Sequence, residues 1–254
     1  MVDIMPQGKD RFELVEKKEV DGLLHIIKPV LGRLNRYLNE NAQDYTFHRE
    51  IVGSFTRGTV SRVRDGNKGF DIDINLVIEY PRLEKKYDAK DVHDAFLNGL
   101  RQSVVGTPFS HPEESSSVFT LKCVDRISSK VRYGVDLAVV YYEPNGTMRF
   151  LRYDKYNRGY GFQRREFPSD LKRMEGYVRE HYDDEYIAET YIRNKNANHD
   201  TDKRSFIIYA ETINNLYANG CNPIHGVLSN HSSTRIRPER SVPISPWDAI
   251  SRIR

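Results

Sequence analysis

Three carboxylates and one small turn carry the reactive groups of this sequence. Asp71 and Asp73 stand two apart in Phe70-Asp71-Ile72-Asp73-Ile74-Asn75-Leu76-Val77-Ile78. In an extended strand such positions project from one face, which puts the two side chains close together. Carboxylates that close repel, and ionising both is unfavourable unless a cation lies between them; hard divalent ions such as Mg²⁺ choose oxygen ligands of this kind. Asp136 opens a second apolar stretch, Val135-Asp136-Leu137-Ala138-Val139-Val140. From a neighbouring strand it would complete a two-ion site of the type that stabilises a phosphoryl group in transfer. A charge at the head of so apolar a run is costly when desolvated and unpaired, so an ion or ligand is the expected compensation. Gly53-Ser54 supplies the complementary element: a glycine lets the backbone approach a phosphate, while the Ser hydroxyl and nearby N–H groups donate to it.

The elements that must position these groups are legible from periodicity. Val20–Asn41 carries Leu23, Leu24, Ile27, Val30, Leu31, Leu34 and Leu38 as one apolar stripe, which predicts an amphipathic helix that kinks or begins at Pro29. A strand is expected over Tyr45–Val52 and a short helix over Thr56–Val63, its positive end aimed at the Gly53-Ser54 turn. Asp65–Gly69 is a turn. Phe70–Ile78, polar and apolar in alternation and then fully apolar, reads as a strand buried on both faces at its end. Asp88–Val104 is helical, His111–Ser117 a polar loop, and Val118–Val124 with Lys130–Tyr142 an antiparallel hairpin. From Ser169 the pattern is mainly helical, with Phe206–Tyr217 showing a period near 3.6.

With 254 residues, 30% charged, 38% apolar and 11% aromatic, the composition fits a globular chain with a core, neither disordered nor membrane-spanning. No apolar run approaches the roughly 20 residues that cross a bilayer, and Met1–Asp10 has no signal-peptide core, so a cytoplasmic location is expected. Cys123 and Cys221 show neither metal-ligand spacing nor a disulfide framework. The net charge of +3 is unevenly spread: between Arg149 and Arg173 eight Lys or Arg face three acids, interleaved with Phe150, Tyr153, Tyr156, Tyr160, Phe162 and Phe167. Such a segment suits a ligand with phosphates and flat bases, or else is a solvated edge strand.

Taken in order, Gly53-Ser54-Phe55-Thr56-Arg57-Gly58-Thr59, Phe70-Asp71-Ile72-Asp73-Ile74 and Val135-Asp136-Leu137 resemble the signature of the polymerase-beta-like nucleotidyltransferase superfamily. They are most similar to its branch of oligoadenylate synthases, cyclic GMP-AMP synthase and bacterial cyclic-oligonucleotide synthases. The resemblance implies an α+β fold: a nucleotidyltransferase core of mixed sheet and flanking helices (1–165), a small helical lobe (166–228), and a tail (229–254), mobile or anchored by Trp247. It implies that Asp71, Asp73 and Asp136 hold two Mg²⁺, or Mn²⁺, with Asp136 also helping to deprotonate the attacking hydroxyl. It further implies that Gly53 and Ser54 cradle the β and γ phosphates and that a lysine of the lobe, Lys203 or Lys195, reaches the triphosphate. The expected reaction moves a nucleoside monophosphate from a triphosphate to a hydroxyl and releases pyrophosphate, making a cyclic or linear oligonucleotide. The alternatives are a small-molecule or RNA nucleotidyltransferase, and an inactive nucleotide- or RNA-binding module that uses Arg149–Arg173. Three mutually repelling carboxylates favour catalysis over the inactive module.

Overall fold

A computed structural model describes residues 11–42, 45–80, 87–125, 127–165, 169–200 and 202–221. The expected tail with Trp247, the segment 1–10, and Phe167 lie outside the described residues.

The chain opens with β1 (Phe12–Leu14) and α1 (Lys17–Asn41). The apolar stripe of α1 is buried as its spacing requires, from Val20 through Leu38. The helix neither starts nor breaks at Pro29 but begins at Lys17 and runs through it. Proline there sacrifices one backbone bond, and burial of Ile27, Val30 and Leu31 around it outweighs that loss. Next come β2 (Phe47–Val52), β3 (Ser61–Val63) and β4 (Phe70–Ile78). The short helix expected over Thr56–Val63 is absent. Residues 53–58 form turns, closed by the Gly58 N–H on Phe55 O and the Thr59 N–H on Ser54 O. Beyond them Ser61–Val63 extends and pairs antiparallel with β1, with Arg62 on Glu13 at 2.6 Å and on Glu19 at 2.7 Å. The β-branched Thr59, Val60 and Val63 favour that extended partner over a helix.

The expected helix and hairpin follow as α2 (Ala89–Ser103), capped by the Asp88 carboxylate, then β5 (Glu113–Glu114), β6 (Phe119–Val124) and β7 (Val131–Tyr142). The basic segment folds into β8 (Met148–Asp154) and β9 (Gly159–Arg164), and the chain continues through α3 (Ser169–His181), α4 (Asp184–Ala197) and α5 (Ser205–Cys221).

The main sheet is mixed, in the order β2-β4-β7-β6-β5, with β8 and β9 added beside the end of β7. Its central pair, β4 and β7, is parallel; the other pairings are antiparallel. One face, with Ile72, Ile74, Val135 and Leu137, packs on α1 and α2 in the principal core, which also holds Cys123. The helices α3, α4 and α5 have a core of their own around Tyr191, Tyr209 and Ile213. Among the described residues no helix is long and apolar enough to cross a membrane.

Candidate active site

The other face of the sheet carries the acids. Parallel pairing sets Asp73 opposite Asp136 and Asp71 opposite Gly134, so three carboxylates from two adjacent strands share one small area. Neither strand alone specifies this: the register between β4 and β7 does. Asp136 is also opposite Thr120 of β6, whose hydroxyl donates to Asp136 Oδ1 at 2.5 Å.

Crowding shows in the proton affinities. Burial, then the charges of Asp136 and Asp73, push the Asp71 pKa from 3.8 up to about 6, against the opposing pull of Lys122. Solvent still reaches Asp71 from one side, because it lies at the rim of the face. Asp73 is raised as well, by burial and by Asp136, and the charges of Arg57 and Arg165 work in the other direction. Two acids that resist ionisation on a shared sheet face make an oxygen-only donor set with excess negative charge, which is the chemistry that attracts a hard divalent cation. As the side chains stand, no group of three or more His, Cys, Asp or Glu among the described residues is arranged to hold an ion. Asp136 instead spends one oxygen on Thr120.

Two glycines make room for the carboxylates. A methyl group on Gly53 would lie 2.0 Å from Asp73 Oδ2, and Gly53 adopts φ +73°, a conformation other residues rarely take. A methyl group on Gly134 would lie 2.1 Å from Asp71 Oδ1. Gly53 is therefore needed for the acid beside it as much as for any phosphate. The Gly53-Ser54 turn borders Asp73 because Val52, the last residue of β2, is paired with it. Within the turn Thr56 Oγ1 donates to Gly53 O at 3.0 Å, and the Ser54 carbonyl accepts from Thr59.

The two lysines of the lobe are engaged elsewhere. Lys203, just ahead of α5, pairs with Glu211 of that helix at 2.8 Å. Lys195 donates to Ser61 Oγ at 2.9 Å and lies over the Phe12 ring. The basic hairpin is likewise largely occupied: Arg149 binds Glu143 at 2.8 Å, Tyr160 stacks on His93, Phe162 packs against Tyr141 and Phe150 lies on Val140 and Met148. Its tip keeps Arg152, Lys155, Tyr156 and Arg158 exposed.

Sequence reasoning missed Gly134, Thr120 and Lys122. Gly134 had a readable signal, a glycine breaking a run of strand formers two residues before Asp136. Thr120 and Lys122 had none, since their importance lies in a pairing across strands.

No protein-family profile and no curated protein matches the sequence. Solved structures do match it in fold. Vibrio cholerae DncV in its GTP-bound form superposes with a TM-score of 0.56 at 13% identity, over 81% of this chain and 68% of that one. Escherichia coli DncV bound to 3'-deoxy GTP gives 0.55 at 10% identity, over 83% and 71%. The Vibrio cholerae protein, described as a cyclic AMP-GMP synthase, gives 0.53 at 13% identity with a nonhydrolyzable GTP, over 81% and 68%. The chain spans 63% of the length of E. coli MS115-1 CdnC with ATP, at 20% identity, a TM-score of 0.45 and 81% of this chain covered. The mixed sheet with flanking helices is the nucleotidyltransferase fold that the sequence resemblance implied.

Proposed function

We propose that the protein is a divalent-cation-dependent nucleotidyltransferase that transfers a nucleoside monophosphate from a nucleoside triphosphate to a hydroxyl, with release of pyrophosphate. The observation that carries this reading is the convergence of Asp71, Asp73 and Asp136 on one face, in space that Gly53 and Gly134 leave for them. The nearest product class is a cyclic or linear oligonucleotide, by analogy with the synthase whose fold it shares.

Asp71 and Asp73 would hold Mg²⁺ or Mn²⁺, which supplies positive charge to the phosphoryl group and acidity to the attacking hydroxyl. The donor set fits: it consists of carboxylates alone, and its raised proton affinity reports an unmet need for positive charge. Asp136 accepts the proton of the attacking hydroxyl, and the bond from Thr120 orients its carboxylate for that task. The turn at Gly53-Ser54 borders Asp73, so its N–H groups and the Ser54 hydroxyl take the β and γ phosphates beside the acids. Lys203 reaches the triphosphate only by leaving Glu211. The exposed cations and Tyr156 at the hairpin tip favour an RNA or oligonucleotide acceptor over a neutral small molecule.

The test is incubation of the protein with each labelled nucleoside triphosphate, singly and mixed, with Mg²⁺ or Mn²⁺, followed by mass spectrometry of products and a pyrophosphate assay. An oligonucleotide product supports the reading. No product and no pyrophosphate with any triphosphate or acceptor would sink it.

A further inference from the structure

Arg57 occupies a place that neither the acids nor the turn explains. Its guanidinium lies over two rings of α5, 4.9 Å from the centre of Tyr209 and 5.4 Å from that of Phe206. Its backbone carbonyl accepts from Arg179 of α3 at 3.5 Å. Arg179 in turn pairs with Glu175, and Glu175 accepts from the hydroxyl of the fully buried Tyr209 at 2.6 Å. One residue of the Gly-Ser turn is thus gripped by two helices of the lobe, and its positive charge is felt at Asp73 on the sheet. Its Nε is shut away from solvent with no hydrogen-bond partner.

Among the described residues the lobe is also attached away from the acids. Asn196 of α4 bonds both backbone groups of Phe12, at 2.7 and 3.0 Å, and Lys195 bonds Ser61. Those contacts fix α4 against β1 and β3. Packing within the lobe carries that attachment on to α5, and Arg57 adds the contact between α5 and the turn beside Asp73. A flat guanidinium suits this role because it stacks on aromatic faces while keeping its charge; a lysine ammonium would not lie on both rings in the same way.

We propose that Arg57 is a positioning residue: held by α3 through its carbonyl and by α5 through its guanidinium, it sets where the helical lobe stands over the acid face and so governs the grip on the triphosphate. This rests on the function proposed above. It assigns to the fifth residue of the turn a task different from the phosphate contacts of the first two.

The experiment uses the full chain. Affinities for ATP and GTP with Mg²⁺ are measured by calorimetry, well below the melting temperature, for the wild type, Arg57→Gln, Arg57→Lys, Phe206→Leu and the Arg57→Gln/Phe206→Leu pair. Amide hydrogen exchange over residues 205–213 is followed without nucleotide. Phe206 is part-exposed at the start of α5, and Leu keeps its apolar bulk without the ring, so this variant should fold. Arg57→Gln is expected to speed exchange in α5 and weaken the tighter-bound nucleotide about tenfold, with Lys restoring part of the loss. The double variant should bind no worse than Arg57→Gln alone, because both changes remove one contact. Unchanged α5 exchange, or losses that simply add, would overturn the proposal even in an active enzyme. A wild type that binds neither nucleotide removes the grip on the triphosphate together with the proposed function, while faster α5 exchange in Arg57→Gln would still record the contact itself.

Discussion

Two groups of carboxylates lie on opposite faces of one sheet and are treated in opposite ways. On the helix side, Asp94 and Glu114 flank the buried ring of His93, 3.0 Å from Nδ1 and 3.1 Å from Nε2. Lys90 joins Asp94, and Arg101 stands 3.5 Å from Glu114. Asp94 is accordingly held below the usual carboxylate range, by Lys90 first and then by His93. On the other face Asp71 and Asp73 are driven upward by burial and by neighbouring acids. The same fold therefore neutralises one set with its own cations and leaves the other in deficit. Compensation built into the fold suits a structural set, and compensation still to arrive from outside suits the binding role proposed above for Asp71 and Asp73.

The contrast can be broken at either end. The largest effect is expected at the acid face, where Asp73→Asn or Asp136→Asn should lower pyrophosphate release by about a thousandfold or more with the fold retained by circular dichroism. If either variant keeps full turnover, the acids are not the catalytic set. Gly134→Ala comes next. The methyl group meets only the tip of a side chain that can rotate away, so denaturant unfolding should change by less than about 1 kcal/mol, while displacement of the Asp71 carboxylate lowers turnover about a hundredfold. On the helix side the outcome should invert. His93→Phe leaves Asp94 and Glu114 without their shared partner and costs about 1–2 kcal/mol in stability, with turnover at low temperature unchanged.

The smallest effect tests the sign of the deficit. Asp71 holds its proton more tightly in the folded chain, where its pKa is about 6, than in the unfolded chain at 3.8. The folded state binds more protons across that window, so this group lowers stability as pH rises through it. Asp71→Asn should match the wild type near about pH 4 and be more stable by about 1 kcal/mol above about pH 6, the full shift being discounted because solvent reaches the carboxylate. Mg²⁺ should raise the melting temperature of the wild type above about pH 6 and do less for the variant. A stability advantage that grows toward low pH would refute the deficit.

Much of the fold is legible in local sequence patterns. The stripe of α1, the Asp88-capped α2 and the alternation in Phe70–Ile78 are local patterns that tertiary packing kept, since each buries the face its spacing presents. The segment Thr56–Val63 has helical spacing but ends in a strand, because its extended form depends on a partner, β1, nearly fifty residues earlier, held by Arg62 and Glu13. The expected lobe lysines turned out to be bonded to Glu211 and Ser61, partners that helical periodicity does not reveal.

Two acids on one strand face, a third at the head of another apolar strand and a Gly-Ser turn ahead of them can all be read from residue order. Residue type and period-two geometry are local properties and need no partner to be read. The folded chain adds that Asp136 stands opposite Asp73, that Gly134 makes way for Asp71, and that Arg57 reaches from the turn to α5. Register and docking are set by burial of the whole core, and no window of sequence contains both sides of those contacts.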